Sequence, residues 1–170
     1  EMHIYDIYLP MLPDSQKEYT YPEAVEEVLS AVEIFGTEYA DILRKGYADR
    51  WVDVLPNEGK VGGAFSGGCA TTNPFILLNF QNTEDDVSTL AHESGHSMHS
   101  YFTRKYNPLQ YADYTIFVAE VPSTVNELVL AYYRLEHSQS REEKLSILNH
   151  LLELYKGTIY RQIMFAEFEK

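Results

Sequence analysis

The chain is short of cysteine, of positive charge and of long apolar runs. Its one cysteine, Cys69, excludes an intrachain disulfide, as is usual for a protein of a reducing compartment. Thirteen Lys and Arg stand against 26 Asp and Glu, a formal net charge of −13 over 170 residues. A chain this acidic lacks the basic footprint that nucleic acid or an anionic membrane surface requires, so neither is expected as a partner. No apolar stretch approaches the ~20 residues of a membrane span. The opening "EMHIYDIYLP" has neither the basic start nor the uninterrupted apolar run of a secretory signal. Glu1-Met2 is not an ordinary translation start, and the chain reads as a piece of a longer one.

What is present is a 45% hydrophobic, 14% aromatic composition, enough for one domain with a real core over 1–170. Residues 1–13, with two prolines, read as an extended leading segment. Apolar residues at helical spacing follow Pro22, with Gly36 as an end or a kink, and a second helical pattern runs on to Trp51. The glycine-rich stretch after Pro56 and the apolar "FILLNF" predict strands over 61–66 and 75–80, an antiparallel pair joined by a loop around Cys69 to Asn73. Thr83 followed by Glu84, Asp85 and Asp86 is a helix start, because acidic side chains favour the positive end of the helix dipole. That helix is expected to run to about 105 and to stop at "YNP". Helix resumes near 112 and runs to about 137, with Pro122 awkward in its interior, and a last amphipathic helix covers 141–168. The fold class is mostly α with a small antiparallel β-sheet.

The stretch "TLAHESGHSMHS" carries the chemistry. His92 and His96 lie four apart, about 40° from each other on one helix face. His99 falls on the same stripe, and Glu93 flanks it. This is the HExxH arrangement, in which two imidazoles hold zinc and the glutamate beside the first serves as base for a water molecule. Val87, Leu90, Met98, Tyr101 and Phe102 lie mostly on the far side, so the helix can pack one face and present another. Gly95, which borders the stripe, costs about 1 kcal/mol relative to alanine inside a helix and points to a close approach by another backbone.

A hydrolytic zinc site needs a third protein ligand. If "YNP" turns the chain back, residues equidistant from Pro108 lie side by side, and the position opposite His96 is Glu120 in "FVAEVPS". A surface role for Glu120 is the plainer alternative. Pro122 can kink or restart the helix beside it. Glu127, seven residues on, shares the face of Glu120 and can accept the second ring N–H of a ligating histidine; a solvated glutamate is as good a reading. His99 is read as a hydrogen-bonding or pocket-lining residue. Glu93 and His96 also form the Glu-x-x-His pattern of di-iron bundles, but the second copy that such a site needs is missing.

With "HESGHSMH" followed at that spacing by "FVAEVPSTVNE", the chain resembles the oligoendopeptidase F and thimet oligopeptidase family of zinc peptidases. "GGAFSGG", "PFILLNFQNTEDDVSTLAHESGHSMHSYF" and "RQIMFAEFE" are closest to the oligoendopeptidase F branch. The resemblance implies a zincin-like, largely helical oligopeptidase core with one zinc ion on His92, His96 and Glu120, Glu93 as general base, and a small sheet at the edge of a deep channel. It implies short peptides as substrates and a cytoplasmic location. The strand bearing Gly63, Ala64 and Phe65 then pairs with an extended substrate through main-chain hydrogen bonds.

Members of that family are several times longer and carry, after the zinc region, a His- and Tyr-rich segment that contacts the tetrahedral intermediate. The chain is accordingly expected to be a catalytic-core piece whose activity in isolation is open. A zinc carboxypeptidase of similar motif and a non-catalytic metal- or peptide-binding module are the alternatives.

Overall fold

The computed structural model describes residue 3 and residues 17–170; apart from His3, the leading segment expected over 1–13 lies outside the described residues. The described chain falls into two compact units, one of residues 17–130 and the other containing 131–170.

In the first unit, α1 (Tyr21–Val32) starts at a capping box. The Thr20 side chain accepts from the Glu23 backbone, the Glu23 side chain accepts from the Thr20 backbone, and Pro22 sits in the first turn. Ala24, Val28, Leu29, Ala31 and Val32 form its buried face. A single 3-10 turn over Glu33–Phe35 leads to Gly36, whose φ of +92° only glycine adopts without strain, and α2 (Thr37–Ala48) begins there. α2 stops short of Trp51, where the second helical pattern was expected to end. Arg50 takes a left-handed conformation (φ 63°), so the chain folds back and the Trp51 N–H donates to the Gly46 carbonyl at 3.0 Å.

The sheet is mixed, not antiparallel throughout. β1 (Val52–Asp53), β2 (Phe65–Gly67) and β3 (Phe75–Leu77) lie in the order β1-β3-β2, with β2 antiparallel and β1 parallel to β3. The antiparallel pair was expected; β1 was not, and the strand expected over 61–66 begins only at Phe65. Residues 61–64 are taken out of the ladder by side chains. Asn79 donates its amide hydrogens to the carbonyls of Val61 and Gly63, both at 2.9 Å, and Gly63 has a φ of +84°. Just before it, Lys60 Nζ donates to the carbonyls of Leu55 (2.7 Å) and Asp53 (3.2 Å).

α3 (Glu84–Tyr106) opens on a second capping box, Thr83 with Asp86, and ends with Arg104 and Lys105 in its last turn, so both ends complement the helix dipole. It packs against α1, α2, β2 and β3. Val87, Leu90 and Met98 of α3 share the core with Val28, Val32, Leu43, Ile76 and Leu78, each at most 2% exposed and each contributing about 1.5–3 kcal/mol of burial. After Asn107 and a 3-10 turn over Leu109–Tyr111, α4 (Ile116–His137) starts four residues later than expected and runs through Pro122 without a break.

In the second unit, α5 (Arg141–Tyr155) is capped by Ser140 with Glu143. The one helix expected over 141–168 is divided by a π-helical turn, Lys156–Tyr160, before α6 (Arg161–Glu169). Thr158, in that turn, donates its hydroxyl to the Leu154 carbonyl at 2.7 Å. Among the described residues no helix is long and apolar enough to cross a membrane.

Candidate active site

α3 presents His92 and His96 one turn apart, on the side of the helix that α4 covers. The chain does turn back after "YNP", and contacts descend in antiparallel register. Ser100 Oγ lies 3.0 Å from the Tyr114 hydroxyl, His96 Nε2 lies 3.3 Å from Glu120 Oε2, and His92 Nδ1 lies 3.3 Å from Glu127 Oε2. Where Gly95 meets α4, a Cβ would stand 2.6 Å from the Pro122 carbonyl oxygen and 2.7 Å from Ser123 Cα. The helix-interior glycine therefore has the expected cause, a backbone packed directly on a backbone.

Three ligand atoms converge. His92 Nε2 and His96 Nε2 are 3.1 Å apart, and each is 3.3 Å from Glu120 Oε2. Donors about 2.0–2.1 Å from a tetrahedral zinc stand about 3.3–3.4 Å from one another, so this triangle has the size of one tetrahedral face. The chemistry of the set agrees, since two imidazoles and a carboxylate are a normal complement for a hydrolytic zinc. Two ring nitrogens set this close direct their lone pairs at one another unless a proton or a cation lies between them.

Neighbouring groups fix the orientation of each ligand. The Ser123 hydroxyl, fully buried, donates to Glu120 Oε2 and to the Glu120 carbonyl, both at 3.0 Å. Glu127 stands behind His92 at Nδ1, leaving Nε2 to face the triad. Its Oε2 is buried, and the 3.3 Å contact with His92 Nδ1 lacks ideal hydrogen-bond alignment. Burial disfavours the His92 cation, but Glu127, Glu93 and Glu120 outweigh it and lift the imidazole above its ordinary value. His96 moves the other way: burial lowers it, and the Glu120 charge and the Ala119 carbonyl only partly offset that.

Glu93 is buried at 7% exposure, and its Oε2 has no hydrogen-bond partner among the described residues. Burial pushes its carboxyl above the usual range, while the neighbouring His92 and the Ser66 backbone N–H pull the other way. A buried carboxyl with one free oxygen beside the ligand triangle has the properties of a proton acceptor.

His99 stands outside the triangle. Its ring stacks on Tyr114 at 3.8 Å and 16°, and its buried Nδ1 finds no partner among the described residues. Of the residues expected on a substrate-pairing strand, only Phe65 lies in β2; Gly63 and Ala64 belong to the preceding loop. β2 is an edge strand, tied to α3 by Ser66 Oγ and Ser97 Oγ at 2.8 Å.

Sequence reasoning did not single out Ser123, Ser66, Ser97, Tyr39 or Asn126. A serine on the buried side of a helix signals that a partner exists, since buried hydroxyls are paired. It does not say which.

A long helix bearing HESGH, a three-stranded mixed sheet beside it and a returning helix that supplies a carboxylate define a helical peptidase fold. A solved chain from Chlamydophila abortus, provisionally called a peptidase, superposes with a TM-score of 0.89 at 45% identity, covering 99% of this chain and 28% of that one. The chain belongs to Peptidase family M3, whose sequence model matches residues 1–170. It is 50% identical over 169 residues to the oligopeptidase PepF of Bacillus subtilis, covering 99% of this chain and 25% of that protein. It is 45% identical to the group B oligopeptidase PepB of Streptococcus agalactiae, covering 99% of this chain and 28% of the relative. The chain thus spans about a quarter of the length of these relatives. The resemblance read from "HESGHSMH" and "FVAEVPSTVNE" is borne out, as is the mostly helical fold class with its small sheet.

Proposed function

We propose that residues 1–170 form the metal-holding catalytic core of a zinc-dependent endopeptidase that hydrolyses short peptides in the cytoplasm. The observation that carries this is the ligand triangle with edges of 3.1 to 3.3 Å beside a buried glutamate. His92, His96 and Glu120 would hold one zinc ion, which supplies Lewis-acid polarisation of a water molecule and of the scissile carbonyl. Glu93 takes the proton from that water and delivers it to the leaving amine. Glu127 holds His92 with Nε2 facing inward. His99, stacked on Tyr114, borders the site without entering the ligand set. β2 offers its open edge to an extended peptide at Phe65, approached by the loop carrying Gly63 and Ala64, so that recognition runs through main-chain groups. The names of relatives such as the oligoendopeptidase F of Lactococcus lactis favour cleavage within a peptide over cleavage from its end.

The test is metal removal in the full-length protein with a peptide blocked at its C-terminus. Chelation should abolish cleavage and a stoichiometric return of zinc should restore it. Activity that survives chelation would sink the metal reading, and cleavage confined to peptides with a free C-terminus would replace it with a carboxypeptidase. Glu127→Ala should weaken zinc binding by about 10–100-fold, read by competition with a chromophoric chelator. A zinc affinity equal to the parent's would return Glu127 to the status of a bystander.

A further inference from the structure

Asn126 touches no ligand, yet it is one of the most completely buried polar side chains on α4, 2% exposed. Both ends of its amide are used. Nδ2 donates to the Ala91 carbonyl of α3 at 3.1 Å, and Oδ1 accepts from the Tyr39 hydroxyl of α2 at 3.0 Å. Burial pushes the Tyr39 phenol up to about 12, so it remains a donor throughout the physiological range. Rings of Phe35 and Phe102, 5.0 and 6.1 Å from that of Tyr39, hold it in place.

The position of this bridge gives it a consequence. Ala91 precedes His92 and Asn126 precedes Glu127, so the amide bond is the rung next to the His92–Glu127 contact. At the level of Gly95 the two helices meet backbone to backbone. Such a contact sets the distance between helices but resists sliding and rotation weakly. A shift of α4 by one residue moves it about 1.5 Å along the axis and turns each side chain by about 100°, which removes Glu120 from the triangle. A hydrogen bond between two buried groups is directional and fails on such a shift, leaving the buried Asn126 amide without its partner. Single buried asparagines specify register between packed helices in this way, at some cost in stability.

We propose that the Tyr39–Asn126–Ala91 bridge fixes the register of α4 on α3, making Asn126 the positioning residue that places Glu120 opposite His92 and His96. The proposal rests on the zinc reading above and extends it to a residue outside the ligand set.

The experiment measures zinc Kd and metal-free thermal stability separately, in the full-length protein. Tyr39→Phe/Asn126→Leu replaces the bridge by apolar groups of similar shape, an exchange that can be nearly neutral for stability. Its Tm should stay close to the parent's while zinc binding weakens at least about tenfold. Tyr39→Phe alone keeps the Ala91 bond, loses its outer anchor, and should weaken zinc about fivefold; it decides the matter if the double variant does not fold. Tyr47→Phe removes a hydrogen bond of the same kind, Tyr47 to Ser94 at 2.6 Å, without touching α4, and should leave zinc Kd unchanged. Zinc Kd within twofold of the parent in both bridge variants overturns the proposal, whatever happens to Tm. So does a loss of affinity that Tyr47→Phe shares equally. A parent that binds no zinc overturns the metal reading itself, which separates that failure from this one.

Discussion

Glu93→Gln in the full-length protein should reduce peptide cleavage by about 10³-fold while zinc content stays near one ion per chain. The substitution is nearly isosteric, and Glu93 is buried beside the triangle without belonging to it, so packing and ligands are retained. An amide cannot take a proton from water. Its loss of function is therefore a loss of chemistry, visible as a fall in kcat with little change in metal affinity. The carboxyl is held above its usual range by burial, which brings its basicity nearer to what proton transfer at neutral pH requires. Cleavage that persists in the glutamine variant would show that another group is the base and would withdraw Glu93 from that role.

Gly95→Ala should cost more than the addition of one methyl group implies. Within an isolated helix alanine is better than glycine by about 1 kcal/mol. Here the new Cβ would meet the Pro122 carbonyl oxygen at 2.6 Å, Ser123 Cα at 2.7 Å and the Pro122 carbonyl carbon at 2.8 Å. All three are backbone atoms, so no side chain can swing aside and α4 itself has to retreat. Overpacking of this kind costs about 1–3 kcal/mol, enough to reverse the helical gain. Glu120 retreats with α4, and the 3.3 Å edges that tie it to His92 and His96 open. Lower Tm together with at least about tenfold weaker zinc binding is the expected pair of results. A variant more stable than the parent, with unchanged zinc affinity, would show that the two helices are not locked together at this point.

What could be read from the sequence followed from interactions that are close along the chain. Helix starts are written locally, so Pro22 before an apolar periodicity announces α1, and Thr83 followed by three acidic residues announces α3. The HExxH pair is a matter of helical periodicity, and Glu120 followed from counting outward from Pro108, which places it beside His96 because the helices return side by side. Glu127 emerged from the same periodicity. What could not be read depends on distant partners. Tyr39 and Asn126 are 87 residues apart, and nothing near either one names the other. β1 is two residues long and exists because β3 pairs with it, too short to show alternation. The strand expected over 61–66 is not formed at 61–64: that segment is half glycine, and Asn79 takes two of its carbonyls. Continuity through Pro122 was equally hidden, because whether a helix bends at proline is decided by the packing around it.

The Asn79 clamp also bounds the strand edge available to the proposed peptide pairing. With the Val61 and Gly63 carbonyls already accepting from one side chain, main-chain groups open to a peptide begin only after them. β2 itself, three residues long, extends about 10 Å. Since alternate residues of an edge strand turn their N–H and C=O outward, a peptide laid along it would be gripped over two or three of its own residues. So short a handhold, made through main-chain groups, would discriminate little between one sequence and another. On the proposed reading, selectivity would then rest on the length of a peptide more than on its sequence.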